Sequence, residues 1–101
     1  MNGSDRIVCR TPSPGKKGTT RIPKWKFDCI RRSILDELRQ GDVAFSQLAS
    51  KVESSLSAKE LERLGSIGWH VTSVKLELEC RGEIRRRMRK GRQVLTMEAV
   101  E

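Results

Sequence analysis

The sequence predicts a mainly α domain closed by a small β-hairpin, in the order helix, helix, short helix, helix, hairpin. Three observations carry this. Apolar residues recur at helical spacing over four stretches between Lys24 and Arg81. Gly41, Gly65 and Gly82 stand just past the ends of three of those stretches, where chains commonly leave a helix. Beyond Gly82, residues 83–97 read as two β-prone runs about a Lys90-Gly91 step.

The elements follow in order. Residues 1–23 hold all three prolines, Pro12, Pro14 and Pro23. The stretch TPSPGKKG (11–18) is a turn or loop between two short β-prone pieces, RIVC (6–9) and TTRI (19–22). These two pieces either pair as a ragged hairpin or serve as an arm. The expectation is a basic N-terminal arm over 1–23, partly ordered against a domain of residues 24–98.

Pro23 suits a helix start, because its missing N–H has no partner there, and the first helix runs over about Lys24–Gln40. Its stripe is Phe27, Ile30, Ile34 and Leu38, widened by Leu35. Phe45, Leu48, Ala49, Val52 and Leu56 define a second helix over about Phe45–Leu56. Ser57 and Glu60 form an S-x-x-E capping box for a short third helix ending at Gly65. Ser66 opens a fourth, about Ile67–Arg81, with the stripe Ile67, Val71, Val74 and Leu78. Trp69, Leu76 and Cys80 make a second apolar set on its other side, so this helix is sandwiched between neighbours or takes part in an oligomer. Strands Glu83–Arg89 and Arg92–Met97 then pair with Ile84 opposite Met97 and Arg86 opposite Leu95, sending Arg85, Arg87 and Arg89 to the other face. A helix that ends in Gly and runs directly into a two-stranded hairpin is the layout of a winged helix-turn-helix.

The run VTSVKLELECRGEIRR (71–86) resembles the third helix and first wing strand of winged-helix regulators, where L-E-x-x-G-x-I passes from helix into wing. Here those positions are Leu78, Glu79, Gly82 and Ile84. The longer pattern PGKKGTTRIPKWKFD, with SIGWHVTSVKLELECRGEI further on, resembles a family of small bacterial proteins of unknown function with a winged-helix-like fold, over most of residues 14–97. The resemblance implies the fold and brings no activity with it.

A chain of 101 residues has room for one modest core, and with two Trp, two Phe and no Tyr that core must be mainly Leu, Ile and Val. No apolar run has the length of a membrane span or signal-peptide core, so the expectation is a cytoplasmic protein. Cys9, Cys29 and Cys80 form no CxxC pair and His70 is the single histidine, which leaves no zinc site to assemble and three reduced thiols as the expectation. A Ser-His-Asp arrangement would depend on His70 alone, and Gly15-Lys-Lys-Gly18 has the wrong spacing for a P-loop. Neither an enzyme nor a cofactor is expected.

Charge is the strongest functional signal. Residues 1–32 carry +7, residues 33–84 carry −3, and residues 85–101 carry +4. Two basic ends flanking an acidic middle point toward a polyanion, with DNA preferred over RNA. Arg85, Arg87 and Arg89, with Lys90 and Arg92 at the tip, are the first candidates for phosphate contacts; the alternative is an edge strand that charge protects from aggregation. Lys16, Lys17 and Arg21, with Lys24 and Lys26, offer a second strip. On the fourth helix His70, Thr72, Ser73 and Lys75 are the candidates for reaching base edges. Against them stand Glu77, Glu79 and Glu83, and the absence of any arginine there before Arg81. Trp25 and Trp69 are able to stack on bases, but a core poor in aromatics favours burial of Trp69. The leading expectation is a DNA-binding, transcription-related winged helix that works through wing and arm. The alternative is a protein-interaction module or homodimer of the same shape, engaging Trp69, Leu76 or the first helix.

Overall fold

The computed structural model describes residues 6–10 and 19–97. Strand β1 (Arg6–Arg10) pairs antiparallel with β2 (Thr19–Pro23), setting Ile7 opposite Ile22 and Cys9 opposite Thr20. Between the arm and the ragged hairpin, the described residues of the N-terminal segment form the hairpin. The expected boundary at Pro23 has core on both sides, since Cys9 and Ile22 belong to the same apolar cluster as Phe27. The rest of the expected arm, including Lys16, Lys17 and the loop 11–18, lies outside the described residues.

Helix α1 (Lys24–Arg39) starts at Pro23 and buries Phe27, Ile30, Ile34, Leu35 and Leu38, the stripe its spacing predicts. Strand β3 (Val43–Ala44) follows, then α2 (Phe45–Ser55), which buries Leu48 and Val52. Helix α3 (Ala58–Leu64) has the predicted capping box: Glu60 N–H donates to Ser57 Oγ at 3.1 Å, and Ser57 N–H to Glu60 Oε1 at 2.9 Å. Helix α4 (Ile67–Arg81) ends at Gly82, whose left-handed φ of +75° lets Glu83 N–H return to the Leu78 carbonyl at 3.0 Å.

Strands β4 (Ile84–Arg89) and β5 (Arg92–Met97) form the C-terminal hairpin in the predicted register, Ile84 opposite Met97 and Arg86 opposite Leu95. Lys90 and Gly91 both take positive φ, +51° and +76°, as a two-residue turn matching strand twist requires. Strand β3 adds to the far side of β5, with Val43 opposite Leu95 and Ala44 opposite Val94, giving the order β3-β5-β4.

Among the described residues the fold is therefore mixed: four helices with two small antiparallel sheets. "Mainly α" fits only in part, because the N-terminal pieces pair and a two-residue strand joins the C-terminal hairpin. The core is the aliphatic cluster that composition requires, centred on Ile30, Ile34, Leu48, Val74, Leu78 and Leu95. Among the described residues no helix is long and apolar enough to cross a membrane.

Candidate nucleic-acid interface

Strand alternation decides which wing side chains face outward. Ile84 is buried against the core, so Arg86 and Met88 share its face, whereas Arg85, Arg87 and Arg89 lie on the other. Arg89 pairs with Arg92 across the turn, and Lys90 sits at the tip. The outer face thus gathers the five wing residues singled out from sequence. Arg89 reaches Asp42 at 3.3 Å in an exposed pair. Arg87, Lys90 and Arg92 are exposed and have no ion-pair partner among the described residues. Consecutive outward arginines stand about 6.6 Å apart, from a rise of about 3.3 Å per residue.

Helix α4 does not present the polar set expected of a base-reading helix. Lys75 is only 2% exposed: its ammonium donates to Gln93 Oε1 at 2.6 Å, pairs with the Glu79 carboxylate and sits over the Phe45 ring at 4.7 Å. His70 is buried too, donating from Nδ1 to the Ser66 carbonyl at 2.6 Å, with its ring edge-on to Trp69. These two candidates are corrected to structural residues. The physical reason is that α4 is flanked by sheet on both sides, so positions beside its apolar stripe are covered as well. Thr72 remains exposed and Ser73 half-buried. Trp69, expected in the core, is 49% exposed.

Glu77 is the other buried charge. It accepts from the Arg10 backbone N–H at 2.9 Å, from Arg10 Nε at 3.0 Å and its terminal nitrogen at 2.8 Å, and from Arg81 Nε at 2.9 Å. Burial alone would raise its pKa, but the hydrogen bonds from Arg10 and Arg81 prevail and hold it down at about 2. Beside it burial pushes the Cys9 thiol up to about 11, with the Glu77 charge adding to the effect. Glu77 and Glu79 are two residues apart, hence about 200° around the helix. Arg10 approaches Glu77 from the β1 side, while Arg86 lies 3.8 Å from Glu79 on the wing side. The two basic ends of the chain therefore flank α4 on opposite sides.

Arg21 is exposed on the outward face of the N-terminal hairpin, opposite Val8. Trp25, at the start of α1, is covered by cations, with the Arg63 guanidinium 4.6 Å and the Lys26 ammonium 5.6 Å from its ring centre. It borders a groove of about 520 Å³ between α1 and α3, where Cys29 and Arg32 both meet Glu60. Among the described residues no three His, Cys, Asp or Glu side chains cluster as metal ligands.

Sequence reasoning missed Arg10, Glu77 and Glu79 as the pieces that hold α4 between its sheets. The i,i+4 spacings Lys75–Glu79 and Glu77–Arg81 were a readable signal for half of this network. The Arg10 contact spans 67 residues and has no local signature.

No curated protein and no solved structure matches the chain. A model of a family of unknown function, DUF6958, matches residues 6–95, and that span includes both strands of the N-terminal hairpin, the four described helices and most of the C-terminal hairpin. The chain belongs to that family.

Proposed function

We propose that the chain is a winged-helix nucleic-acid-binding protein, a binding protein rather than an enzyme, which grips DNA backbones through the outer face of its C-terminal hairpin with little sequence choice. The observation that carries this reading is the row Arg85, Arg87 and Arg89 on one strand face, joined by Arg92 and the Lys90 tip. Each cation that neutralises a phosphate releases condensed counterions, and affinity gained this way is independent of base sequence. The winged-helix assignment is supported by the β3-β5-β4 order, with β3 between α1 and α2, and by the Gly82 junction from helix into hairpin. Burial of His70 and Lys75 argues against base reading by α4. On this reading the wing is the principal contact and the N-terminal hairpin, on the other side of α4, a secondary one contributing Arg21.

The test is titration of a labelled mixed-sequence duplex at a series of salt concentrations. Expected is binding in dilute buffer with log affinity falling linearly in log salt. Changing Arg87, Lys90 and Arg92 to Ala together flattens that slope by up to about 3, from roughly 0.9 per phosphate contact. A protein that leaves duplexes free at low salt, or a triple variant that binds as well as the parent, would overturn the reading.

A second reading, a protein-interaction module, is favoured by one observation: Trp69 near the start of α4 is half exposed, whereas most large apolar side chains among the described residues are buried.

A further inference from the structure

The solvent-facing ridge of α4 consists of Trp69, Thr72, Ser73, Leu76 and Cys80, positions that fall within about 60° of one line along the helix. None carries a charge. Thr72 and Trp69 are exposed, and the other three are half-buried. On one flank lies β1, joined through Arg10 to Glu77. Its buried face holds Cys9, so Arg6, Val8 and Arg10 are turned outward, and Val8 is 47% exposed. On the other flank lies the inner face of β4, where Arg86 meets Glu79 and Met88 is 67% exposed. Among the described residues Val8 on the β1 flank, Trp69 on the ridge and Met88 on the β4 flank are exposed, and an arginine borders the uncharged ridge on either side.

We propose that this ridge, bounded by Arg10 and Arg86, docks an amphipathic helix of a partner protein whose apolar stripe is bordered by carboxylates. It deepens the interaction reading above and rests on it. The wing's outer face is not involved. From Trp69 to Cys80 the floor is about 17 Å long at 1.5 Å per residue, enough for three turns of a partner helix. Such a helix lays its i, i+3, i+4 and i+7 residues along an apolar face of this kind. Charge selects among occupants. Glu77 and Glu79 each face more than one cation: Arg10 and Arg81 at one, where Glu83 beside Arg81 is itself paired with Arg31, and Lys75 and Arg86 at the other. Each rim therefore keeps a positive excess. A second copy of this chain would bring like charges together at both rims. Nucleic acid would satisfy the rims, but the floor offers base edges only two hydroxyls and no Arg, Lys, Asn or Gln. An acidic helix satisfies floor and rims together.

The experiment is a display selection on the intact chain. The probe is a library of amphipathic helices of about fifteen residues, with a fixed Leu stripe and flanks randomised among acidic, basic and neutral residues. Expected is enrichment of Glu and Asp at the flanks. The best peptide then binds at least tenfold more weakly to Trp69→Ala and to Thr72→Glu, and unchanged to Trp25→Phe. Thr72→Glu changes an exposed residue, so it keeps the test valid should Trp69→Ala fold poorly. Basic flanks, a duplex that competes for the ridge, or self-association that buries Trp69 and is lost in Thr72→Glu would each overturn the acidic partner. Self-association or basic flanks would leave an interaction module standing, whereas no ridge-dependent binding of any peptide would remove both.

Discussion

Arg10 and Glu77 are joined by three hydrogen bonds, one from the backbone of β1 and two from the guanidinium. Through them a carboxylate on the penultimate turn of α4 fixes the N-terminal hairpin, with Arg81 completing the triad from the same helix. Because the Arg10 side chain stays 55% exposed, the carboxylate alone bears most of the desolvation.

Glu77→Gln therefore removes the charge that both arginines share. Expected is a loss of about 2–4 kcal/mol in urea unfolding, somewhat below the roughly 3–5 kcal/mol for breaking a fully buried ion pair because the Arg10 side chain keeps its contact with water. The pH dependence has a definite sign. The folded-state pKa of Glu77 lies below its ordinary value, at about 2. Its contribution is complete above the unfolded pKa near 4.5 and is lost as pH falls from there toward 2. The wild type should lose stability across that window while Glu77→Gln changes less; parallel pH profiles would contradict the triad.

Lys75 and Glu79 answer differently to single and double change. Each is nearly inaccessible, and replacing Lys75 leaves Glu79 only the longer contact to Arg86 at 3.8 Å in a low-dielectric site. Lys75→Met alone should cost about 3 kcal/mol, while Lys75→Met with Glu79→Leu should recover most of that loss or exceed the parent. A thermal or urea double-mutant cycle measures the coupling. A double-variant loss equal to the sum of the two single losses would show that the pair does not act as a unit.

Local rules reached most of the backbone. The α1 stripe, the Ser57–Glu60 box and the Gly82 exit each depend on residues within a turn of one another. The wing register follows from alternation about Lys90-Gly91. What sequence could not reach depends on distant partners. Val43–Ala44 is too short to show a period and becomes a strand only because β5 lies beside it. Lys75 reads as a base-reaching cation and Glu79 as an acid set against phosphates because periodicity counts every ionisable side chain as polar, and here α4 is covered on three sides. Trp69 erred in the opposite sense: aromatic scarcity favours burial, but its angular position is on the open ridge. The wing arginines were legible as a face, whereas their separation from the N-terminal basic residues by α4 was not.

The turn itself offers a clean backbone test. Lys90 holds a left-handed φ of +51° that a side chain disfavours, and glycine adopts that conformation without a Cβ penalty. Lys90→Gly should leave folding stability within about 1 kcal/mol of the parent, because relief of the left-handed strain offsets the lost chain entropy. It removes one tip cation, so the salt slope for duplex binding should fall by about 0.9. A large loss of stability would mean that the lysine side chain, and not the turn geometry, holds the hairpin.

Asp42 gives the most discriminating variant, because it alters the wing without removing any of its cations. Its carboxylate neutralises Arg89 across an exposed contact of 3.3 Å. Exposed pairs of this kind contribute up to about 1 kcal/mol, so Asp42→Asn should leave the unfolding midpoint nearly unchanged. If the outer face grips phosphates, freeing Arg89 adds one unit of available charge, and duplex affinity at low salt should rise severalfold with a steeper salt slope. If the arginines serve only to keep the edge strand from aggregating, the same change leaves duplexes unbound and instead improves solubility at low ionic strength. The two roles give opposite readings in one anisotropy titration, and neither depends on a variant that disturbs the core.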